Sequence, residues 1–422
     1  MSSKEFKLRR QEFLTRLGNN SAALIFAAKE HLRKGMECYP YRQHSDFYYL
    51  TGFTEPGAIA VFIPGRAAGE FVLFSREGDA IKDRWGGPCI GPERAREQFG
   101  AEQAFSSTMV NTMLPQLLVG KESIYWNVDC EEDIACWWRP TSQNKLVGVG
   151  DVLHEMRLQK SKEEQRLLHK AATITAAGFY RAMRNCRPGM YEFELEAELI
   201  YEFMRLGGNY AAFKTIVGSG VNACTLHYTK NTGKLASGDL VLIDAGAEYK
   251  YYCADVTRTF PVNRKFTKEQ QAIYEAVLFT QVEVINHIRP GIKFNELQLI
   301  AAKTITALLL DLGLLQGSMD DLLSNQSYQA FFMHKIGHWL GLDVHDVGEY
   351  YPQGKERVLT TGMVLTVEPG IYITPNVIIE RKWWNIGVRI EDDVLVTAHG
   401  CDVLTAMIPK TVGEIATAQK GY

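Results

Sequence analysis

A chain of 422 residues with 46% hydrophobic and 23% charged side chains has the composition of a folded globular protein, and its length predicts two domains rather than one core. The formal net charge of -3 comes with no long basic run, which removes the electrostatic case for nucleic acid or an anionic membrane surface as a partner. No stretch reaches roughly 18 uninterrupted apolar residues, and the first ten residues are charged where a secretory signal needs an apolar core.

The protein is therefore expected in the cytoplasm. Its eight cysteines, at 38, 89, 130, 136, 186, 224, 253 and 401, form no CxxC pair and no zinc-ribbon spacing, so reduced structural thiols are expected. Along the first 157 residues, β-rich runs at 22–26, 58–63, 71–74 and 123–126 alternate with helical stretches and predict a small α/β domain. Ser161 and Glu164 then form the S-x-x-E pattern of a capping box, in which each side chain satisfies a free backbone donor at a helix start. This sets the expected domains at 1–157 and 158–422.

The second domain carries an internal repeat. Ser161 opens a long helical pattern that stops at Arg187-Pro188-Gly189, followed by an apolar helix from Tyr191 to Leu206. Thr267, with Gln270 three residues on, opens another that stops at Arg289-Pro290-Gly291, followed by a helix from about Phe294 to Leu312. The repeat continues into strands: residues 238–246 align with 362–370, Gly on Gly at both ends and Asp244 on Glu368.

Asp244, Glu368 and Glu391 each end an apolar or β-branched run that reads as a buried strand. A carboxylate among such residues must be protonated, ion-paired or bound to a metal, since an isolated buried charge costs more than the strand returns. Asp255 follows Asp244 by eleven positions, and a chain that turns through 247–252 brings both onto one face. Four inward carboxylates repel one another, and a pair of divalent cations resolves that repulsion while activating water.

Three histidines, His334, His338 and His345, lie within twelve positions among glycines. The i, i+4 pair is not the zinc-binding HExxH helix, because Lys335 follows His334, no glutamate lies between, and Gly337 and Gly341 oppose a helix. One ligand and two substrate-facing histidines is the expected division.

The order Asp244, Asp255, His338, Glu368, Glu391, the 334–346 histidine segment and the Glu368-Pro-Gly-Ile-Tyr372 turn together resemble the aminopeptidase P and prolidase family of metallopeptidases. Residues 41–53 resemble the amino-terminal domain of aminopeptidase P, and 215–220 and 226–228 are similar to its bacterial form, so the resemblance covers nearly the whole chain. Lys335 departs from the small residue expected beside His334.

The resemblance implies an α+β architecture: a pita-bread catalytic domain with a pseudo-twofold repeat, preceded by a smaller α/β aminopeptidase P-like domain. It implies that Asp244 and Asp255 bind one ion, that Asp255, Glu368 and Glu391 bridge toward a second, and that His338 completes it. Oxygen-rich ligation with one imidazole suits Mn²⁺. Glu368 corresponds to the proton shuttle, His345 and His227 to residues that steady the carbonyl oxygen and substrate backbone, and His334 to the border of the pocket after the scissile bond. Tyr372 is a further substrate-side residue. Arg389 is either a catalytic group or, sharing a strand face with Glu391, a partner that keeps that ligand ionised. The implied activity is removal of an amino-terminal residue that precedes proline, from peptides, by a homodimer or homotetramer. Two alternatives stand beside it: an Xaa-Pro dipeptidase, and a peptide-binding protein of the same fold without catalysis.

Overall fold

The computed structural model describes residues 1–35, 37–81, 83–128, 144–375 and 378–420. Contacts divide the chain into two compact units, Met1–Met156 and Arg157–Tyr422. Cys130 and Cys136 lie outside the described residues, and the six other cysteines are free thiols. No helix among the described residues is long and apolar enough to cross a membrane.

The first unit is built on a six-stranded mixed sheet. Ser21–Phe26 is flanked by Ile59–Phe62, antiparallel, and Ser123–Trp126, parallel. Phe71–Ser75 continues the sheet on one side and leads to Gln103–Ser106, and Lys145–Gly148 closes the other. The four inner strands are the β-rich runs of the sequence, and three of them are buried along their whole length. The two strands that sequence reading passes over are the edges. Lys145–Gly148 is partly exposed and Gln103–Ser106 is half polar and mostly only half-buried, so neither shows the apolar run that marks a buried strand.

The second unit repeats one plan twice. Lys162–Asn185 starts at a capping box on Ser161 and is followed by Glu192–Arg205. Lys268–His287 starts at a capping box on Thr267 and is followed by Phe294–Asp311. Between the members of each pair the chain reverses at a Pro-Gly whose glycine has positive φ, 93° at Gly189 and 95° at Gly291, a conformation that disfavours any side chain.

The strands follow suit. In the first half Leu240–Ala245 pairs antiparallel with Val256–Pro261, and the connection is the small hairpin Glu248–Tyr249 with Tyr252–Cys253. Its turn residues Lys250 and Tyr251 both have positive φ, 49° and 73°, as a two-residue hairpin with right-handed strand twist requires. In the second half Val364–Val367 pairs antiparallel with Asp392–Val396 around the longer hairpin Gly370–Ile373 with Ile386–Arg389. Each half is thus a hairpin inside a strand pair, with one carboxylate where the chain enters the inner hairpin and another where it leaves: Asp244 and Asp255, then Glu368 and Glu391. One apolar core, including Val241, Ile243, Val256, Leu365, Val367 and Val394, runs beneath both halves.

Candidate active site

The four carboxylates meet because the two strand pairs are joined edge to edge. The Glu391 N–H donates to the Thr257 carbonyl at 3.0 Å, and the Thr259 hydroxyl donates to the Arg389 carbonyl at 3.0 Å. Asp255, Thr257 and Thr259 alternate along one strand face, so the two threonines turn the same way as the carboxylate.

The histidine segment arrives without a helix. Residues 332–346 run as irregular chain along Val364–Val367, with Trp339 bridged to Leu365, the Thr366 N–H on the His338 carbonyl at 2.9 Å and the Glu368 N–H on the Ile336 carbonyl at 2.8 Å. Gly337 permits this approach: a Cβ there would lie 2.0 Å from the Thr366 carbonyl oxygen. His338 is thereby set beside Glu368. Its Nδ1 bonds the Trp339 carbonyl at 3.0 Å, leaving Nε2 at 3.3 Å from Asp255 Oδ2 and 3.6 Å from Glu368 Oε1.

The donor set fits a divalent metal. Donor atoms of Asp255, His338 and Glu391 all lie within 4.8 Å of one another, and the buried Oδ1 atoms of Asp244 and Asp255 have no hydrogen-bond partner among the described residues. Burial, reinforced by Glu391 and Asp244, holds the Asp255 carboxyl well above the usual range, and burial with Glu368 and Asp244 does the same to Glu391. Glu368 is pushed up to about 8 by burial, against the pull of Arg389. These carboxylates cannot all ionise side by side without added positive charge. Burial also lowers His338 to about 4, which leaves its imidazole neutral and free to ligate at neutral pH.

The remaining expected residues fall into two groups. His227, His334, His345 and Arg389 line one cavity with Asp244, Asp255, His338, Glu368 and Glu391, and its volume is about 580 Å³. His345 stands edge-on to His338, ring centroids 4.3 Å apart. Tyr372 does not line it. Its ring is buried behind the wall, where the hydroxyl accepts from Arg389 Nη1 at 2.9 Å and bonds His334 Nε2 at 2.9 Å. The hydroxyl of this residue, expected on the substrate side, is thus bonded to two side chains that do line the cavity.

Arg389 also departs from the expected pairing. Its Nη2 donates to Asp244 Oδ2 at 2.6 Å, in the other half of the repeat, and its Nε donates to the Thr257 hydroxyl at 3.0 Å. That hydroxyl in turn donates to Glu391 Oε2 at 2.7 Å. Arg389 hydrogen-bonds Asp244 directly and Glu391 only by way of Thr257, while its charge favours the ionised form of Glu391 as expected.

Sequence reading missed Thr257, and it missed Arg258. The alternation from Asp255 onward contained the signal for Thr257. Arg258 turns to the opposite face, fully buried, and donates to the Glu391 carbonyl at 2.6 Å and to Asp392 Oδ1 at 2.7 Å. Lys410 completes that cluster, 2.6 Å from Asp392 Oδ2. No local pattern marks a buried arginine whose partners lie more than 130 positions away.

Comparison with known proteins defines the class. Residues 166–398 match the model of metallopeptidase family M24, and residues 6–125 match that of the aminopeptidase P N-terminal domain. The chain belongs to this metallopeptidase family and is a hydrolase. Its relatives include the Xaa-Pro aminopeptidase of Escherichia coli strain K12, 43% identical over 98% of this chain and 97% of that protein, and the Xaa-Pro aminopeptidase of Haemophilus influenzae, 41% identical over 98% and 97%. Among solved structures, that of Pseudomonas aeruginosa aminopeptidase PepP superposes with a TM-score of 0.96 at 44% identity, covering 99% of this chain and 98% of that one. The pita-bread architecture and the preceding aminopeptidase P-like domain expected from sequence are what these matches contain.

Proposed function

We propose that this protein is a two-metal aminopeptidase that hydrolyses the bond between an amino-terminal residue and a following proline. The observation that carries the reading is the convergence of Asp244, Asp255, His338, Glu368 and Glu391, drawn from both halves of the repeat, on one cavity. Asp244, Asp255, His338, Glu368 and Glu391 would hold two divalent ions, and the oxygen-rich set favours Mn²⁺. Bound there, such ions supply a lowered water pKa and a polarised carbonyl. Glu368 takes the proton from the attacking water and delivers it to the leaving imino nitrogen, general acid–base work that a carboxylate at the edge of the site can perform. His345 and His227 steady the carbonyl oxygen and substrate backbone, and His334 borders the leaving side.

Arg389 holds Asp244 in position through its ion pair, and Tyr372 acts by fixing the orientation of both Arg389 and His334. Proline preference rests on the relatives named above, with the physical rationale that an imino nitrogen offers no N–H for peptidases that require that donor. The functional division at 157/158, assembly as a homodimer or homotetramer, and residence in the cytoplasm belong to the same reading; sedimentation and cell fractionation test the last two.

The test compares kcat/KM with Mn²⁺ for an Xaa-Pro-Yaa tripeptide, its Xaa-Ala-Yaa counterpart and the dipeptide Xaa-Pro. The tripeptide with proline should be cut fastest. Equal rates with alanine would remove the imino preference, and a faster dipeptide would make the protein an Xaa-Pro dipeptidase. Elemental analysis should give two ions per chain, with Asp255→Asn disturbing both; one zinc lost with His334 instead would refute the two-metal assignment.

A further inference from the structure

The charges lining the 580 Å³ cavity are nearly all committed. Arg389 is held by Asp244 at 2.6 Å, and Asp346 by Arg157 at 2.5 Å and Lys160 at 3.0 Å. Asp244, Asp255, Glu368 and Glu391 face the proposed ions. Two lining side chains with full charges are left over, Lys214 and Lys335. Both are exposed, and neither forms an ion pair or a side-chain hydrogen bond among the described residues.

Lys335 is the better placed of the two. It follows His334 directly, and its carbonyl bonds His334 Nδ1 at 2.8 Å, so it is tied to the histidine that the proposed function sets at the border of the leaving side. Its Nζ stands 5.5 Å from the centroid of the Tyr350 ring, within cation–π range. That ring is itself fixed, stacked on Trp339 at 5.2 Å with the hydroxyl accepting the Trp339 N–H at 3.0 Å. The ring orients the ammonium without neutralising it. Lys335 is also the position where the sequence departs from the small residue expected in this segment.

A peptide whose scissile bond lies at the carboxylate cluster must extend its leaving portion past His334 and Lys335. Every unblocked peptide carries a carboxylate on that portion. We propose that Lys335, assisted by Lys214, is a specificity-determining residue that recognises a carboxylate on the leaving side of the substrate, and so favours short free-acid peptides. The proposal rests on the peptide-hydrolase reading above. An ammonium on a flexible four-carbon stem is a point charge without a fixed fork, which suits a carboxylate arriving at slightly different depths in peptides of different length.

The carboxylate has two sources, a free carboxyl terminus or an acidic side chain, and four Mn²⁺-dependent substrates separate them: Ala-Pro-Ala as acid and as amide, and Ala-Pro-Glu-amide beside Ala-Pro-Gln-amide. The wild type should favour the carboxylate member of at least one pair by about fivefold in kcat/KM, the size of an exposed ion pair, expressed mainly in KM and shrinking at high salt. Lys335→Gln should bring that ratio close to one and Lys335→Glu should invert it, with unchanged melting curves as the check on folding. A difference confined to the acid and amide pair assigns the terminus, and one confined to the Glu and Gln pair assigns the side chain; either supports the proposal. Ratios near one in the wild type for both pairs, or a preference that survives Lys335→Glu, would overturn it while leaving peptide hydrolysis intact. If none of the four peptides were cut, the underlying reading would fail instead.

Discussion

Thr257 sits between two groups of opposite charge, accepting from Arg389 and donating to Glu391, and so couples the cation of the site to a proposed ligand 134 positions from Thr257 itself. Replacing it with valine keeps the shape and the β propensity and deletes the hydroxyl. Thr257→Val should fold normally but bind Mn²⁺ about 10- to 100-fold more weakly, the usual effect of losing a group that orients a ligand. Calorimetric titration of the apoprotein measures this directly, and unchanged affinity would leave the hydroxyl with a purely structural part. For Glu368 the expectation is sharper. Glu368→Gln should retain the melting temperature and lose at least about 10²-fold in kcat, since an amide cannot shuttle a proton; activity within tenfold of wild type would refute the assignment.

At the scale of elements, the site depends on two close backbone approaches. Gly337 lets the histidine segment lie against Thr366, and Gly246 lets the inner hairpin close, where an added Cβ would be 1.6 Å from the Ala254 carbonyl oxygen. Both neighbours are backbone atoms, which cannot swing away as a side chain can. Gly337→Ala should therefore destabilise the protein by about 1–3 kcal/mol through overpacking and move His338 away from Asp255. Chemical denaturation reads the first effect and Mn²⁺ affinity the second. A variant as stable as wild type would show that the segment has room to shift. The glycines and the capping boxes were visible in sequence, but their purposes differed in legibility: a cap is satisfied within three residues, whereas the atom that forbids a Cβ at 337 belongs to a strand 29 positions later.

Across the molecule, the catalytic unit carries a buried ion triad outside the proposed metal ligands. Asp346 is 1% exposed at its side chain and is bonded by Arg157 and Lys160, themselves 3% and 1% exposed. Burial works to raise its carboxyl, but Arg157 and then Lys160 outweigh it, and the net pKa lies below the ordinary value. A carboxyl depressed in the folded state contributes stability that is fully present above its unfolded pKa, about 3.9, and lost as pH falls through the folded value. Asp346→Asn removes the carboxylate partner of buried Lys160 and leaves Arg157 only the more exposed Asp343 at 2.8 Å, and should cost about 3–5 kcal/mol at pH 7. The gap between the urea midpoints of wild type and variant should narrow as pH drops below about 4. A gap independent of pH would show that the triad acts by packing rather than by charge.

The carboxylates that end buried runs, the capping boxes of the twofold plan and the inner strands of the first unit were legible in the sequence because each rests on a short-range regularity, whereas Asp255 and His338 were singled out as ligands by the family resemblance. A carboxylate ending an apolar run, a Ser or Thr three residues before Glu or Gln, and a β-branched run all declare themselves within a few positions. Tertiary structure decided how those residues divide their work. It paired Arg389 with Asp244, drew Tyr372 behind the wall, placed Arg258 and Asp392 together beneath the seam, and left Lys335 over Tyr350 with no ion pair among the described residues. Each of these is a choice among partners many residues apart, made by which strands lie side by side and which charges burial forces to find one another. Spacing along the chain carries no record of that choice, since hydrogen bonds and ion pairs form across space and the same side chain could have served any neighbour brought within reach.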